Sequence, residues 1–266
     1  MSTKMKYPIV IEELSFSYNE KDVLKDISLT IEKNKFYCII GPNGCGKTTL
    51  LKNILGNLEH KFGKILIDNK EIRELRVKEL ARKISFVPQN TAIDFEFTAL
   101  DVVMMGRSPY LRLFENEGTK DMEIARKAMI CTNTWHLKDI NINEISGGER
   151  QRVIVARALA QQTNIMLMDE PISMLDIHHQ IELMDTIKTL VINSEVTVVA
   201  VLHDLNMAAQ YSDEIILMNQ GMIYAKGTPE EVITEENLMN VYSLKASVIK
   251  NPVTGKPHVL PLSTIV

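Results

Sequence analysis

Residues 36–48 read FYCIIGPNGCGKT, an apolar run that passes through a glycine-rich turn into a Lys-Thr pair. Five consecutive apolar residues before such a turn fit a buried strand, and the residues from Lys47 onward fit the start of a helix. Gly41, Gly44 and Gly46, with Pro42, Asn43 and Cys45 between them, let successive backbone N–H groups turn inward around phosphate oxygens. The helix opening near Lys47 points the positive end of its dipole at the same charge. Lys47 can reach the β and γ phosphates of a nucleotide, and the Thr48 hydroxyl, with Thr49 behind it, is placed to ligate Mg²⁺. The pattern therefore implies a bound nucleoside triphosphate on an α/β scaffold.

A chain of 266 residues is long for one domain and short for two, so one nucleotide-binding domain with a small appendage is expected. Hydrophobic content of 45% and charged content of 24% suit a globular domain, and no apolar run approaches the roughly 20 residues of a spanning helix. Glu12 and Glu13 arrive before any signal-like apolar stretch, so a cytosolic location is expected. Cys38, Cys45 and Cys131 show neither metal-ligand spacing nor a disulfide count and fit a reducing compartment. A net charge of −4 disfavours a nucleic-acid surface.

Along the chain, residues 9–18 and 27–31 alternate as half-buried strands and predict an antiparallel β edge ahead of the phosphate loop. Residues 63–68 and 84–87 read as further strands, and residues 90–144 change to helical spacing, predicting an inserted helical subdomain. Apolar runs at 165–168 and 196–202 return the chain to a covered parallel sheet, so the sheet as a whole is mixed. Residues 214–226 predict a hairpin turning at Gln220 and Gly221, and Thr228, Pro229 and Glu231 predict a capped helix start. The reading is a cassette domain over 1–246 and, because 247–266 holds three prolines and a glycine, a loosely structured C-terminal extension.

A phosphate loop needs an acidic partner to hold Mg²⁺ and activate water, and IMLMDE at 165–170 supplies one at a strand end. Asp169 would orient the metal, directly or through its water, and Glu170 would act as general base. ISGGERQR at 145–152 places Ser146, Gly147 and Gly148 at a helix start, which reads either as a second anion site or as an N-cap serine with a flexible entry. Adjacent His178 and His179 diverge by about 100° on a helix and offer no i, i+4 histidine pair, so they are not expected to ligate a metal.

GPNGCGKTT, VPQ at 87–89, ISGGERQR, IMLMDEP, SMLD at 173–176 and LHD at 202–204 occur in an order that resembles the ATP-binding cassette family. The resemblance covers about residues 9–240 and implies a P-loop ATPase. It implies that Tyr18 stacks on adenine, that Gln89 contacts Mg²⁺ and senses a transport subunit, and that His203 contacts the γ phosphate. It also implies a head-to-tail homodimer with two ATPs, in which Ser146, Gly147, Gly148 and Asp176 face the partner's nucleotide. Two positions depart from the family: Ile145 stands where Leu is usual and Ile172 where Thr is frequent, which implies tuning of the interface.

Residues 98–112, 175–183 and 203–213 further resemble the branch that imports iron chelates, haem and cobalamin. That implies a subunit at the cytoplasmic face of the membrane, a separate integral-membrane permease, an indirect substrate-binding protein, and most specifically a ferric siderophore as solute. Cobalamin, haem and molybdate remain alternatives, as does a transporter-free ATPase of iron–sulfur assembly or nucleic-acid repair. The segment after Gln89 is expected to dock the permease through exposed Arg107, Tyr110 and Arg112. Cys45, within the loop, is read either as a reactive thiol of lowered pKa or as a buried, inert one.

Overall fold

A computed structural model describes residues 6–89, 96–112, 115–193 and 196–264. Met1–Leu75 with Thr197–Val266 form one compact unit and Arg76–Val196 a second.

In the first unit, β1 (Ile9–Tyr18) pairs antiparallel with β2 (Lys21–Ile31), while β3 (Phe36–Ile40) leads into α1 (Lys47–Ile54). β4 (Phe62–Ile67) pairs with the other edge of β1 and with the two-residue β5 (Lys70–Glu71), giving the order β2-β1-β4-β5. This is the antiparallel edge that the alternation predicts. Ile9, Ile11 and Leu14 enter the core from β1, and the register shift between Ile11 and Leu14 coincides with the positive φ of Glu13. All five β3 residues are buried, as befits a strand covered on both faces.

The second unit opens with α2 (Val77–Ala81) and β6 (Ile84–Val87), followed by α3 (Ala99–Met104), α4 (Thr119–Cys131) and α5 (Gly147–Ala160). β7 (Ile165–Asp169) then pairs in parallel with β6, and α6 (Ile177–Ile192) closes the unit. α3 and α4 both pack on α5, burying Val102, Val103, Ala125, Met129 and Val153. Thr98 starts α3 with a capping box: its hydroxyl accepts from Asp101 N–H at 3.1 Å while the Asp101 carboxylate accepts from Thr98 N–H at 3.0 Å. Residues 90–95, at the start of the expected helical insertion, lie outside the described residues.

The chain returns to the first unit with β8 (Thr197–Val201), α7 (Leu205–Tyr211), β9 (Glu214–Asn219) and β10 (Met222–Gly227). β3 lies between β8 and β9, parallel to both, and β10 turns back on β9 through Gln220 and Gly221, both at positive φ. α8 (Pro229–Val232) and α9 (Glu235–Tyr242) follow, the former with Thr228, Pro229 and Glu231 as the sequence predicts.

The C-terminus differs from its expectation. β11 (Leu244–Lys250) and β12 (Pro257–Thr264) form an antiparallel hairpin rather than a loose extension. The prolines fall where a strand tolerates them: Pro252 in the turn, Pro257 as the first residue of β12, and Pro261 beside the register shift between Lys245 and Ala246. The hairpin is held on α7 by Asn206, whose Oδ1 accepts from Val259 N–H at 2.7 Å and whose Nδ2 donates to the Val259 carbonyl at 3.3 Å. No helix among the described residues is long and apolar enough to cross a membrane.

Arg107 and Tyr110 are not exposed anchors. Arg107 is 4% exposed; its Nε donates to the Asp121 carboxylate at 2.9 Å and its Nη1 to the Ala160 carbonyl at 2.6 Å. The guanidinium also lies 4.2 Å from the Tyr110 ring centre, and the Tyr110 hydroxyl donates to the Gln161 carbonyl at 2.8 Å. These two side chains stitch the turn after α3 to the C-terminal end of α5, where unpaired carbonyls need donors. Of the three, Arg112 alone is exposed. Replacing Arg107 by Ala should destabilise the protein by roughly 3 kcal/mol, since it removes the buried donor to the Ala160 carbonyl together with the guanidinium paired with Asp121. Tyr110→Phe, which removes one hydroxyl donor, should cost about 1 kcal/mol. Urea unfolding measures both, and midpoints equal to wild type would contradict this assignment.

Candidate nucleotide site

β3 delivers the chain into the phosphate loop with the backbone already turned. Gly41 adopts φ 151° and a Cβ there would stand 2.3 Å from the Met218 carbonyl oxygen and 2.8 Å from Cys45 Sγ, so only glycine fits. Gly44, at φ 78°, faces open space. Pro42, Asn43 and Gly44 line the outer rim, whereas Cys45, Gly46, Lys47 and Thr49 are buried beneath it and Thr48 is half-buried. Lys47 Nζ donates to the Gly41 and Pro42 carbonyls at 2.8 and 3.0 Å, which holds an ammonium at the mouth of the loop. A backbone nest, a helix N-terminus and a fixed ammonium together favour a polyphosphate.

Three further groups belong to the same unit as this loop. Tyr18, at the end of β1, is 44% exposed and stands edge-on to Phe16 with ring centres 4.8 Å apart, which leaves it an accessible aromatic surface. His203 is exposed just past β8, and the next residue, Asp204, caps α7 by accepting from Asn206 and Met207 N–H at 2.8 and 2.9 Å. Tyr242, at the end of α9, was not legible as a site neighbour. Burial pushes its phenol well above the usual range, while a hydrogen bond with the Gly41 backbone pulls the other way. Only the return of α9 to the loop reveals it.

Cys45 resolves toward the inert reading. The thiol is 4% exposed, and burial raises its pKa although the Lys47 charge pulls downward. The loop amides that could stabilise a thiolate are outweighed by the loss of water.

In the second unit, β6 and β7 run parallel and end side by side, which brings Gln89 and Glu170 together across 81 residues of sequence. Gln89 Nε2 donates to Glu170 Oε2 at 2.7 Å. Asp169, the last residue of β7, is 3% exposed. Glu170 adopts φ 51°, a left-handed conformation costly for a residue with a Cβ, and strain of this kind gathers where a side chain must be aimed. The Ser173 hydroxyl donates to the Glu170 carbonyl at 3.1 Å and helps hold the turn.

Ser146 caps α5. Its hydroxyl accepts from Glu149 N–H at 3.3 Å, and the Glu149 carboxylate accepts from Ser146 N–H at 2.9 Å and from the Ser146 hydroxyl at 2.7 Å. These hydrogen bonds hold Glu149 below the usual carboxylate range. Gly147 has no atom within 4 Å of where a Cβ would stand, so this helix start presents open backbone. Asp176 caps α6 by accepting from His179 N–H at 3.0 Å, and this bond lowers its pKa. Ile145 and Ile172 are both buried, so the two departures act through packing.

A phosphate cradle on a parallel strand, with an acidic pair ending another strand, defines the class of P-loop nucleoside triphosphatases. The profile of the family described as "ABC transporter" matches residues 24–173, and the chain belongs to that family, whose members bind and hydrolyse ATP. It is 39% identical over 251 residues to the ferric enterobactin transport ATP-binding protein of Escherichia coli (strain K12), covering 94% of this chain and 93% of that one. Among solved structures it resembles a chain of a transporter assigned to the metal-chelate type in an inward-facing conformation, with TM-score 0.85 and 28% identity over 97% of this chain and 98% of that one. It also resembles a dimeric, post-hydrolysis ATP-binding cassette bound to ADP and Pi, with TM-score 0.74 and 29% identity over 83% of this chain and 98% of that one.

The burial of the loop thiol has a direct readout. Iodoacetamide at neutral pH should modify exposed Cys131 first and spare Cys45 and Cys38, which intact-mass and peptide analysis would resolve. Modification of Cys45 at the rate of Cys131 would contradict the buried assignment.

Proposed function

We propose that this chain is the ATP-hydrolysing subunit of an importer that takes up a ferric siderophore through a separate membrane permease. The observation that carries the mechanism is the 2.7 Å hydrogen bond from Gln89 to Glu170, which ties the residue expected to sense the permease to the expected base. The solute class is supported by the likeness to the ferric enterobactin protein and to the chain of the metal-chelate transporter.

In this reading the loop amides of 41–49 and Lys47 hold the phosphates, and Tyr18 stacks on the base. Thr48, Gln89 and Asp169 would each offer a hard oxygen donor, the ligand type that suits Mg²⁺ rather than a softer ion. Held by these residues, Mg²⁺ would supply positive charge to offset that of the phosphates. Glu170 polarises the attacking water, and His203 steadies the γ phosphate through its imidazole. Ser146, Gly147, Gly148 and Asp176 act on the nucleotide of a second, head-to-tail copy, a reading supported by the likeness to a dimeric cassette. The permease is read to dock on the segment after Gln89 through exposed residues that include Met105 and Arg112, in place of Arg107 and Tyr110. A substrate-binding protein delivers the solute on the far side of the membrane. A transporter-free role finds no support in these likenesses.

Vesicles holding the complex, loaded binding protein and Mg-ATP should accumulate labelled ferric siderophore. With Glu170→Gln, ATP binding should persist while turnover and accumulation fall at least about 100-fold, because the amide keeps the shape and removes the base. Accumulation only of haem, cobalamin or molybdate would overturn the solute class, and wild-type turnover in the variant would overturn the role of Glu170.

A further inference from the structure

The head of α6 gathers three groups that the proposed hydrolytic mechanism leaves unused. His178 is exposed and its ring centre lies 5.2 Å from that of His179, while Glu182 follows one turn later, four residues from the first and three from the second. One ligand atom from each of these three side chains lies within 4.8 Å of the other two. The two histidines alone diverge around the helix, and Glu182 is the member that a search for paired histidines overlooks.

We propose that His178, His179 and Glu182 form a binding site for a divalent transition-metal ion of the zinc or ferrous type. Two imidazole nitrogens and one carboxylate oxygen suit such borderline ions and not Mg²⁺ or Ca²⁺. Metal–nitrogen bonds of about 2.0–2.1 Å require the donors to close to roughly 3.3 Å from one another. Rotation of His178, exposed as it is, and of the Glu182 side chain supplies that movement, while Asn133 Nδ2 holds Glu182 Oε1 at 3.2 Å.

His179 is already oriented from behind, with Asp176 Oδ2 lying 3.1 Å from its Nδ1, the kind of carboxylate–histidine contact that fixes a metal-binding ring. The positive end of the helix opposes a cation here, and the carboxylates of Glu182 and Asp176 offset it. Three protein ligands leave positions for water, so the ion exchanges with solution rather than serving the fold. An ion on His179 stiffens the loop that carries Asp176 and thereby slows ATP hydrolysis. That consequence rests on the proposed role of Asp176 at the partner's nucleotide, whereas binding does not.

The test titrates the nucleotide-free full-length Cys131→Ser protein with zinc sulfate against a chromophoric chelator, the substitution removing the exposed thiol as a competing ligand. About one equivalent should bind saturably, and His178→Gln and Glu182→Gln should each weaken it at least about tenfold. Absence of saturable binding, or wild-type affinity in both variants, overturns the site. Zinc should also slow ATP hydrolysis by the wild type and not by His178→Gln. Saturable binding without slowing would overturn the link to Asp176 while leaving both the site and the import reading intact.

Discussion

The Met218 carbonyl oxygen lies only 2.3 Å from where a Cβ on Gly41 would stand, and this close approach sets the path of the phosphate loop. Met218 belongs to β9, which pairs in parallel with β3, so the sheet fixes the loop backbone from below. The consequence runs upward. With the turn held, α1 begins at Lys47 with its N-terminal amides facing the loop, and the Lys47 ammonium rests on the Gly41 and Pro42 carbonyls. A nucleotide would therefore meet donors that need little reorganisation, the condition under which electrostatic binding of phosphate is most effective.

The same logic operates in the second unit with different means. Parallel pairing of β6 and β7 carries Gln89 and Glu170 to neighbouring strand ends, and a 2.7 Å hydrogen bond joins them. The left-handed backbone at Glu170 has a steric cost that the surrounding structure sustains, and Ser173 contributes to that support through the Glu170 carbonyl. A displacement of the Gln89 segment would then reach the carboxylate without a relay. This is the physical basis on which transport and hydrolysis could be linked in the proposed importer.

What was legible in the sequence was local. The loop glycines, the buried β3, the caps at Ser146 and Thr228 and the turn at Gln220 and Gly221 each follow from a few adjacent residues. What was not legible depended on partners far along the chain. Arg107 reads as a surface anchor until Asp121 and the end of α5 are seen to enclose it, and Cys45 reads as activated or inert until its burial is known. The prolines of the C-terminus read as loose because their tolerated positions are defined only by the pairing of β11 with β12 and by Asn206 on α7. Tyr242 carries no motif, and only the fold brings it beside a loop amide.

In the proposed head-to-tail dimer each nucleotide is shared, the phosphate loop of one copy being completed by the Ser146 region of another. Complementation between two inactive variants reads out this sharing. Lys47→Ala disables one half of the site and Ser146→Arg the other, so each variant alone should be inactive. Mixed, the two should regain ATP hydrolysis, because one of the two shared sites then joins an intact Lys47 to an intact Ser146. A mixture as inactive as its components would contradict the account, for it would mean that both halves act within a single chain.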